Sequence, residues 1–225
     1  MAYFLSLPRF CLPGILLLLL SACSPPLVDR HGHSDPQELW DRQKAVNSTL
    51  TSWYLHGKIG VKTGKKGKGC SATLKWNYLP DNQKIDLYGP FGGGRVKITA
   101  GSDSAVLKDN QGRVIEGRSA SEVLYQRLGW QVPFNELILW SRGLHNDEAE
   151  DIRVDAAGRL KSLNQGMWHV EYQEYRTVNN LVLPRKLTIT LLPDRMEIYD
   201  KDGNYLGDEL SVKVILQRWR NLIVG

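Results

Sequence analysis

The stretch Tyr54-Leu55-His56-Gly57-Lys58-Ile59-Gly60-Val61-Lys62, answered after a turn by Cys70-Ser71-Ala72-Thr73-Leu74-Lys75-Trp76, decides the fold class. Leu55, Gly57, Ile59 and Val61 alternate with His56, Lys58 and Lys62; Cys70, Ala72, Leu74 and Trp76 alternate with Ser71, Thr73 and Lys75. A period of two sends one set to a buried face and the other to water, the pattern of a strand packed on one side. The link between the runs, Gly64-Lys65-Lys66-Gly67-Lys68-Gly69, reads as a flexible basic hairpin loop. It lacks the spacing and the Ser/Thr after lysine of a phosphate-binding loop. It is read as a solvated turn, with contact to lipid headgroups as the alternative.

Working outward, strands are expected at 84–88, 95–100, 105–108 and 113–117, the last two joined by the turn Asp109-Asn110-Gln111-Gly112. Gaps this short leave no room for crossover helices, so the sheet is expected to be antiparallel. Further strands are expected at 152–154, 160–163, 168–175, 186–192, 196–199 and 212–219. Ahead of the first strand, Asp35 as cap, Pro36 at the first helical position and Glu38 three residues after the cap read as a capping box. With Leu39, Val46, Leu50 and Trp53 at helical spacing, they predict a helix over 36–50. Ser119 and Glu122 repeat the box and Gly129 supplies a stop, with Val123, Leu124 and Leu128 apolar between them. A third helix is expected over 134–142, carrying Leu137, Ile138 and Trp140 and ending at Gly143. The order helix, strands, two helices, strands predicts one domain, mainly β with α, in which a curved antiparallel sheet has its concave face covered by helices. A sheet bent this far either fills its interior with side chains or leaves a cavity for an apolar ligand.

Residues 1–22 have the layout of a secretory signal: Arg9, an apolar run over 12–20, then small residues. The run is far shorter than the roughly 20 residues a spanning helix needs. Leu20-Ser21-Ala22-Cys23 resembles the bacterial lipobox, which implies cleavage before Cys23, a diacylglyceryl group on its sulfur and an acyl group on its amine. No other cofactor is expected. In lipoproteins of this kind aspartate after the cysteine retains the protein at the inner membrane, so Ser24 implies the outer membrane, facing the periplasm. Residues 23–35 read as lipid anchor and flexible tether, and 36–225 as the folded domain. His31-Gly32-His33 lacks a third ligand and is read as linker, so no metal site is expected.

Losing Arg9 with the signal takes the formal net charge from +5 to +4. A mild basic excess suits anionic headgroups, while nucleic acid is not expected as a partner outside the cytoplasm. Cys11 leaves with the signal and Cys23 is lipidated, so Cys70 alone remains, read as a small core residue without a catalytic role.

The chain is similar, over nearly all of its mature length, to the outer-membrane lipoprotein receptor family LolB. The likeness rests on the Trp40 helix before the first strand, Gly89-Pro90-Phe91-Gly92, the Pro133-Phe134 helix, the strand Trp168-His169-Val170-Glu171-Tyr172 and a final strand closing on Trp219. It implies an unclosed antiparallel β-barrel with an α-helical lid and an apolar cavity. It also implies a monomeric receptor that takes mature lipoproteins from the periplasmic carrier LolA and places them among outer-membrane phospholipids. In this family a large apolar residue, commonly leucine, protrudes from a loop between two strands toward the membrane. Phe91 holds the matching position, between Pro90 and Gly92 in a bend that hides the ring poorly.

Trp76, Trp140, Trp168 and Tyr172 are candidates to line the cavity. With no nucleotide loop or nucleophile elbow in the chain, an enzyme is not expected and transfer must run on binding differences. The competing reading is a structural lipid-anchored β domain that binds an envelope protein and holds no lipid. A hydrolase built on His56, His145 or His169 has no local signature in its favour.

Overall fold

The first and last strands of the domain lie side by side, and that pairing turns two separate runs of strands into one sheet. The computed structural model describes residues 35–64, 68–90, 94–129, 131–193, 197–199 and 205–225. The signal, Cys23, the tether, Lys65 to Gly67, Phe91, Gly92 and Met196 lie outside the described residues. Ser34 to Gly225 forms a folded unit with its own apolar core.

The chain opens with α1 (Pro36–Ser48), then β1 (Leu50–Thr63), β2 (Lys68–Tyr78), β3 (Gln83–Tyr88), β4 (Val96–Ala100), β5 (Ala105–Asp109) and β6 (Val114–Gly117). Two helices follow, α2 (Ala120–Leu128) and α3 (Phe134–Trp140). The second run is β7 (Ala149–Val154), β8 (Leu160–Gln165), β9 (Trp168–Val178), β10 (Leu181–Leu191), β11 (Ile198–Tyr199), β12 (Tyr205–Gly207) and β13 (Leu210–Val224). Eleven strands form one antiparallel sheet in the order β6-β5-β4-β3-β2-β1-β13-β10-β9-β8-β7, while β11 and β12 make a separate hairpin. The sheet does not close: β6 and β7 are its two edges.

Alternation along β1 buries Leu55, Gly57, Ile59 and Val61, as the pattern requires, and leaves Lys58 and Lys62 exposed. In β2, Leu74 and Trp76 are buried and Ala72 is half-buried, but Cys70 is exposed, so it is not the core residue its phase suggests. The first helix also departs from expectation. It ends at Ser48, and its buried positions are Trp40 and Asn47, whereas Val46 faces solvent at 47% exposure. Leu50 and Trp53 are buried as strand residues instead. Asp35 caps by accepting from the Gln37 N–H at 3.0 Å, but Glu38 turns to Arg42 at 3.2 Å, so half of the box forms. Asn47 Nδ2 donates to the carbonyls of Arg142 and Val182 at 2.8 and 3.0 Å, fastening α1 to the turn after α3 and to β10.

Two stretches of strand escape the sequence pattern. Between β9 and β10, Asn179 and Asn180 both have positive φ, 47° and 63°. Asparagine tolerates this conformation, and two such residues in a row make a tight hairpin. Pro184, paired with Tyr175, sits at a register shift, the usual place for proline within a sheet. β12 is too short for periodicity to reveal.

Gly57 holds the β1–β13 register. A Cβ there would lie 2.3 Å from the carbonyl oxygen of Ile215. Gly57→Ala is expected to cost about 1–3 kcal/mol, as overpacking of a rigid interior does. Urea unfolding of the two forms measures this, and an unchanged midpoint would mean the strands separate without strain.

Candidate functional site

Where the first run of strands curves beneath α2, the wall residues are too small to meet, and a cleft of about 540 Å³ is left. Its floor is Ile59 and Val61 from β1, Cys70 and Ala72 from β2, Leu87 from β3 and Val96 from β4. Leu124 and Leu128 of α2, with Val132 and Phe134, form the roof. Gly89, Pro90 and Gly94 stand at the mouth, and Pro90 is exposed. Among the described residues, none that lines the cleft is an acid, a histidine, a lysine or an arginine. Cys70 is open to solvent on one side, but the cleft walls around it desolvate the thiol and push its pKa up, so at neutral pH it is protonated and a poor nucleophile. A lining of this kind suits apolar matter held by non-directional contact, and its described residues carry no group for acid–base chemistry.

The roof is ordered by its own caps and by contacts with the rest of the fold. Ser119 Oγ accepts from the Glu122 N–H at 3.2 Å, and Gly129 ends α2 in the left-handed region at φ 83°. The start of α3 has no cap of its own, because Pro133 occupies that position. Ser121 Oγ of α2 accepts from the N–H groups of Phe134 and Asn135 at 3.0 and 3.3 Å in its place. Arg142, just past α3, donates from Nη1 to the Leu50 carbonyl at 2.9 Å and lies over the Trp53 ring. Arg127 of α2 approaches Asp109 at 3.3 Å, tying the roof to the β5–β6 turn.

The four aromatic residues expected to line a cavity fill the interior instead. Trp76 is 1% exposed and meets Phe134 edge-on at 5.8 Å, so it backs the cleft wall from behind. Trp140 is fully buried and donates from Nε1 to Gln165 Oε1 at 3.3 Å. Trp168 is buried on β9, and Tyr172 is buried against Tyr175 at 6.0 Å. These four rings pack against other side chains, whereas the cleft is lined by aliphatic residues, Cys70 and the one ring of Phe134. The residues missed by sequence reasoning as lining, Val61, Leu87, Val96 and Val132, carry no signal beyond being apolar. Leu124 and Leu128, one helical turn apart on α2, gave the only local hint.

Among the described residues, the histidines do not converge on the cleft. His56 lies on the convex face of the sheet, His145 stacks on Trp40 at 5.8 Å, and His169 Nδ1 pairs with Asn164 Oδ1 at 2.7 Å. Among the described residues no group of three or more His, Cys, Asp or Glu is placed to hold a metal ion.

The family model for the outer membrane lipoprotein LolB matches residues 51–219. An outer-membrane lipoprotein LolB from Pseudomonas putida strain KT2440 is 33% identical over 221 residues, covering 96% of this chain and 98% of the relative. One from Chromohalobacter salexigens is 32% identical over 201 residues, covering 89% and 92%. Among solved structures, a putative outer membrane lipoprotein-sorting protein domain from Vibrio parahaemolyticus aligns with a TM-score of 0.45 at 10% identity, over 82% of this chain and 91% of that one.

The Asp109 carboxyl, which Arg127 approaches from the roof, is held mainly by its own turn. Burial alone would raise this carboxyl, but the backbone N–H and guanidinium of Arg113 and the Gln111 N–H outweigh it and hold its pKa below the ordinary value. A depressed carboxylate stabilises the fold above its unfolded pKa, about 4, and the contribution fades as pH falls through the folded value. Asp109→Asn is therefore expected to lower Tm at about pH 7, with the gap from wild type closing toward about pH 3. Thermal melts across that range check this; a gap independent of pH would show that the charge is not what matters.

Proposed function

The chain belongs to the LolB family of outer-membrane lipoproteins, and we propose that it is the receptor that accepts mature lipoproteins from a periplasmic LolA-type carrier and inserts them into the outer membrane. The observation that carries this reading is the uncharged apolar cleft of about 540 Å³ between sheet and helices. That volume lies within the range of about 300–1,000 Å³ typical of ligand sites. Each methylene of an acyl chain left in water costs about 0.8 kcal/mol, so cargo must pass from one apolar site straight into another. The chain's part is to bind the acyl groups more tightly than the carrier does and less tightly than a bilayer does. The direction of transfer then follows from affinity alone.

Gly89, Pro90 and Gly94 lie at the mouth of the cleft, and cargo leaving there passes beside them. Phe91, carried over from the family as the protruding apolar residue, suits the bilayer interface. The lipid on Cys23 would keep the domain at the periplasmic face of the outer membrane as a monomer. No chemical step and no cofactor beyond that anchor enters the scheme.

Leu128→Glu places a charge on a half-buried roof residue of the cleft. It is expected to reduce uptake of a radiolabelled lipoprotein from its carrier at least tenfold, while Phe91→Glu is expected to take up label but fail to deliver it to liposomes. The assay uses the chain from Ser24 onward, free of the anchor. If the unsubstituted chain takes no label, the receptor reading falls and a structural lipid-anchored domain that binds an envelope protein replaces it.

A further inference from the structure

The convex face of the sheet carries a row of cations that the cleft does not use. Directly opposed residues run Lys108, Lys97, Asp86, Lys75, His56 and Arg218, one from each of β5, β4, β3, β2, β1 and β13. At about 4.8 Å between strands the row is roughly 24 Å long. Like charges placed opposite one another destabilise a sheet. The one acid in the row is shared by three cations: Asp86 accepts from Arg95 Nε at 2.8 Å and from Nη2 at 2.5 Å, and its charge is also felt by Lys97 and Lys75 on either side, so the row keeps a positive excess. Among the described residues no ion pair reaches Lys75, Lys97, Lys108 or Arg218. Lys58, Lys62, Lys213 and Arg220 add exposed cations on the strands β1 and β13. The pKa of His56 is lowered by burial and then by Arg218, Lys75, Arg220 and Lys58, so the positive field is felt at the centre of the row.

Two ordinary explanations fit poorly. Lysine on an edge strand deters unwanted pairing, but β1, β2, β3, β4, β5 and β13 are all interior strands of this sheet. A protein partner is usually gripped through a dry apolar or aromatic centre with charges at its rim, whereas this row is charged through its middle. A lipid surface needs no such centre. It presents anionic groups over an area wider than the row, and attraction accumulates with each cation brought near it.

We propose that the convex face is a docking surface for anionic phospholipid headgroups, on which the domain rests with its cleft on the side away from the membrane. In that pose the cleft is open to the aqueous side, where cargo arrives. The contact is electrostatic and reversible, so the domain can leave it to bring the loop at Gly89 to Gly94 to the bilayer. The docking surface stands on the register and charge of the sheet and does not depend on what the cleft holds.

The test is sedimentation of the chain from Ser24 onward with vesicles of phosphatidylcholine alone or with about one third phosphatidylglycerol. Binding to the anionic vesicles is expected to be at least tenfold stronger and to vanish between about 50 and 500 mM NaCl, where the screening length falls below the spacing of the charges. The triple variant Lys97→Glu, Lys108→Glu and Arg218→Glu, all at exposed positions, is expected to lose at least tenfold. Lys97→Arg, Lys108→Arg and Arg218→Lys are expected to retain binding, and melts confirm that each variant is folded. Equal binding to both vesicles, or an undiminished triple variant, overturns the proposal. So does binding to polyglutamate without binding to vesicles, which assigns the face to an acidic protein. Vesicle binding without cargo uptake would count against the receptor reading alone.

Discussion

Strands β6 and β7 are neighbours in the sequence of strands and opposite edges of the same sheet. The chain between them must therefore cross from one edge to the other, and the residues that cross are α2 and α3. A curved sheet with an apolar inner face has to cover that face with something, because its edges do not meet. The connection and the cover are thus the same piece of chain. On the far side, β1 and β13 pair from Leu50 with Val224 to Thr63 with Leu210, so the sheet is continuous behind the roof. The helices need no strong intrinsic propensity in this arrangement. Their apolar residues, Val123, Leu124, Phe134, Leu137 and Trp140, are buried on the sheet, and tertiary packing holds helices of this length.

The interior divides into a packed part and an open part. Trp53 stacks on Tyr78 at 4.0 Å and meets Trp76 and Trp219 at 6.2 and 6.0 Å. Such ring pairs are worth about 0.5–1.5 kcal/mol each beyond their buried area, and they make a firm base. Beside it the walls are aliphatic and short, and the cleft remains. Non-directional contact would suit the proposed cargo, whose members share a lipid and little else. A site that recognised hydrogen-bonding groups would discriminate among them, since unpaired buried polar atoms are costly.

Much of this architecture can be read from residue pattern. Alternation locates the long strands and their buried faces, and Ser119, Gly129 and Gly143 mark the ends of helices through backbone chemistry. The face of α1 could not be read this way. Trp40 and Asn47 are buried because β10 and the turn after α3 lie against them, and helical spacing of Leu39 and Val46 says nothing of that. From residue pattern alone the cleft is legible only as an alternative to a filled interior, and it was the family likeness that implied a cavity. Periodicity says which side chains point inward, but whether they meet depends on curvature: Trp76, Trp140, Trp168 and Tyr172 fill the interior, while Phe134 and a set of aliphatic residues line the cleft. The likeness to a family supplied what physics did not, namely the reason to single out Phe91 within a glycine-rich bend.

The most direct examination of the cleft is photo-crosslinking with a lipoprotein whose acyl chain carries a diazirine, delivered by its carrier and mapped by mass spectrometry. Adducts are expected on the floor and roof, at Val61, Cys70, Leu87, Val96 and Leu128. Adducts confined to other surfaces, or none after the cargo has been taken up, would contradict the proposal that this cleft holds the acyl chains.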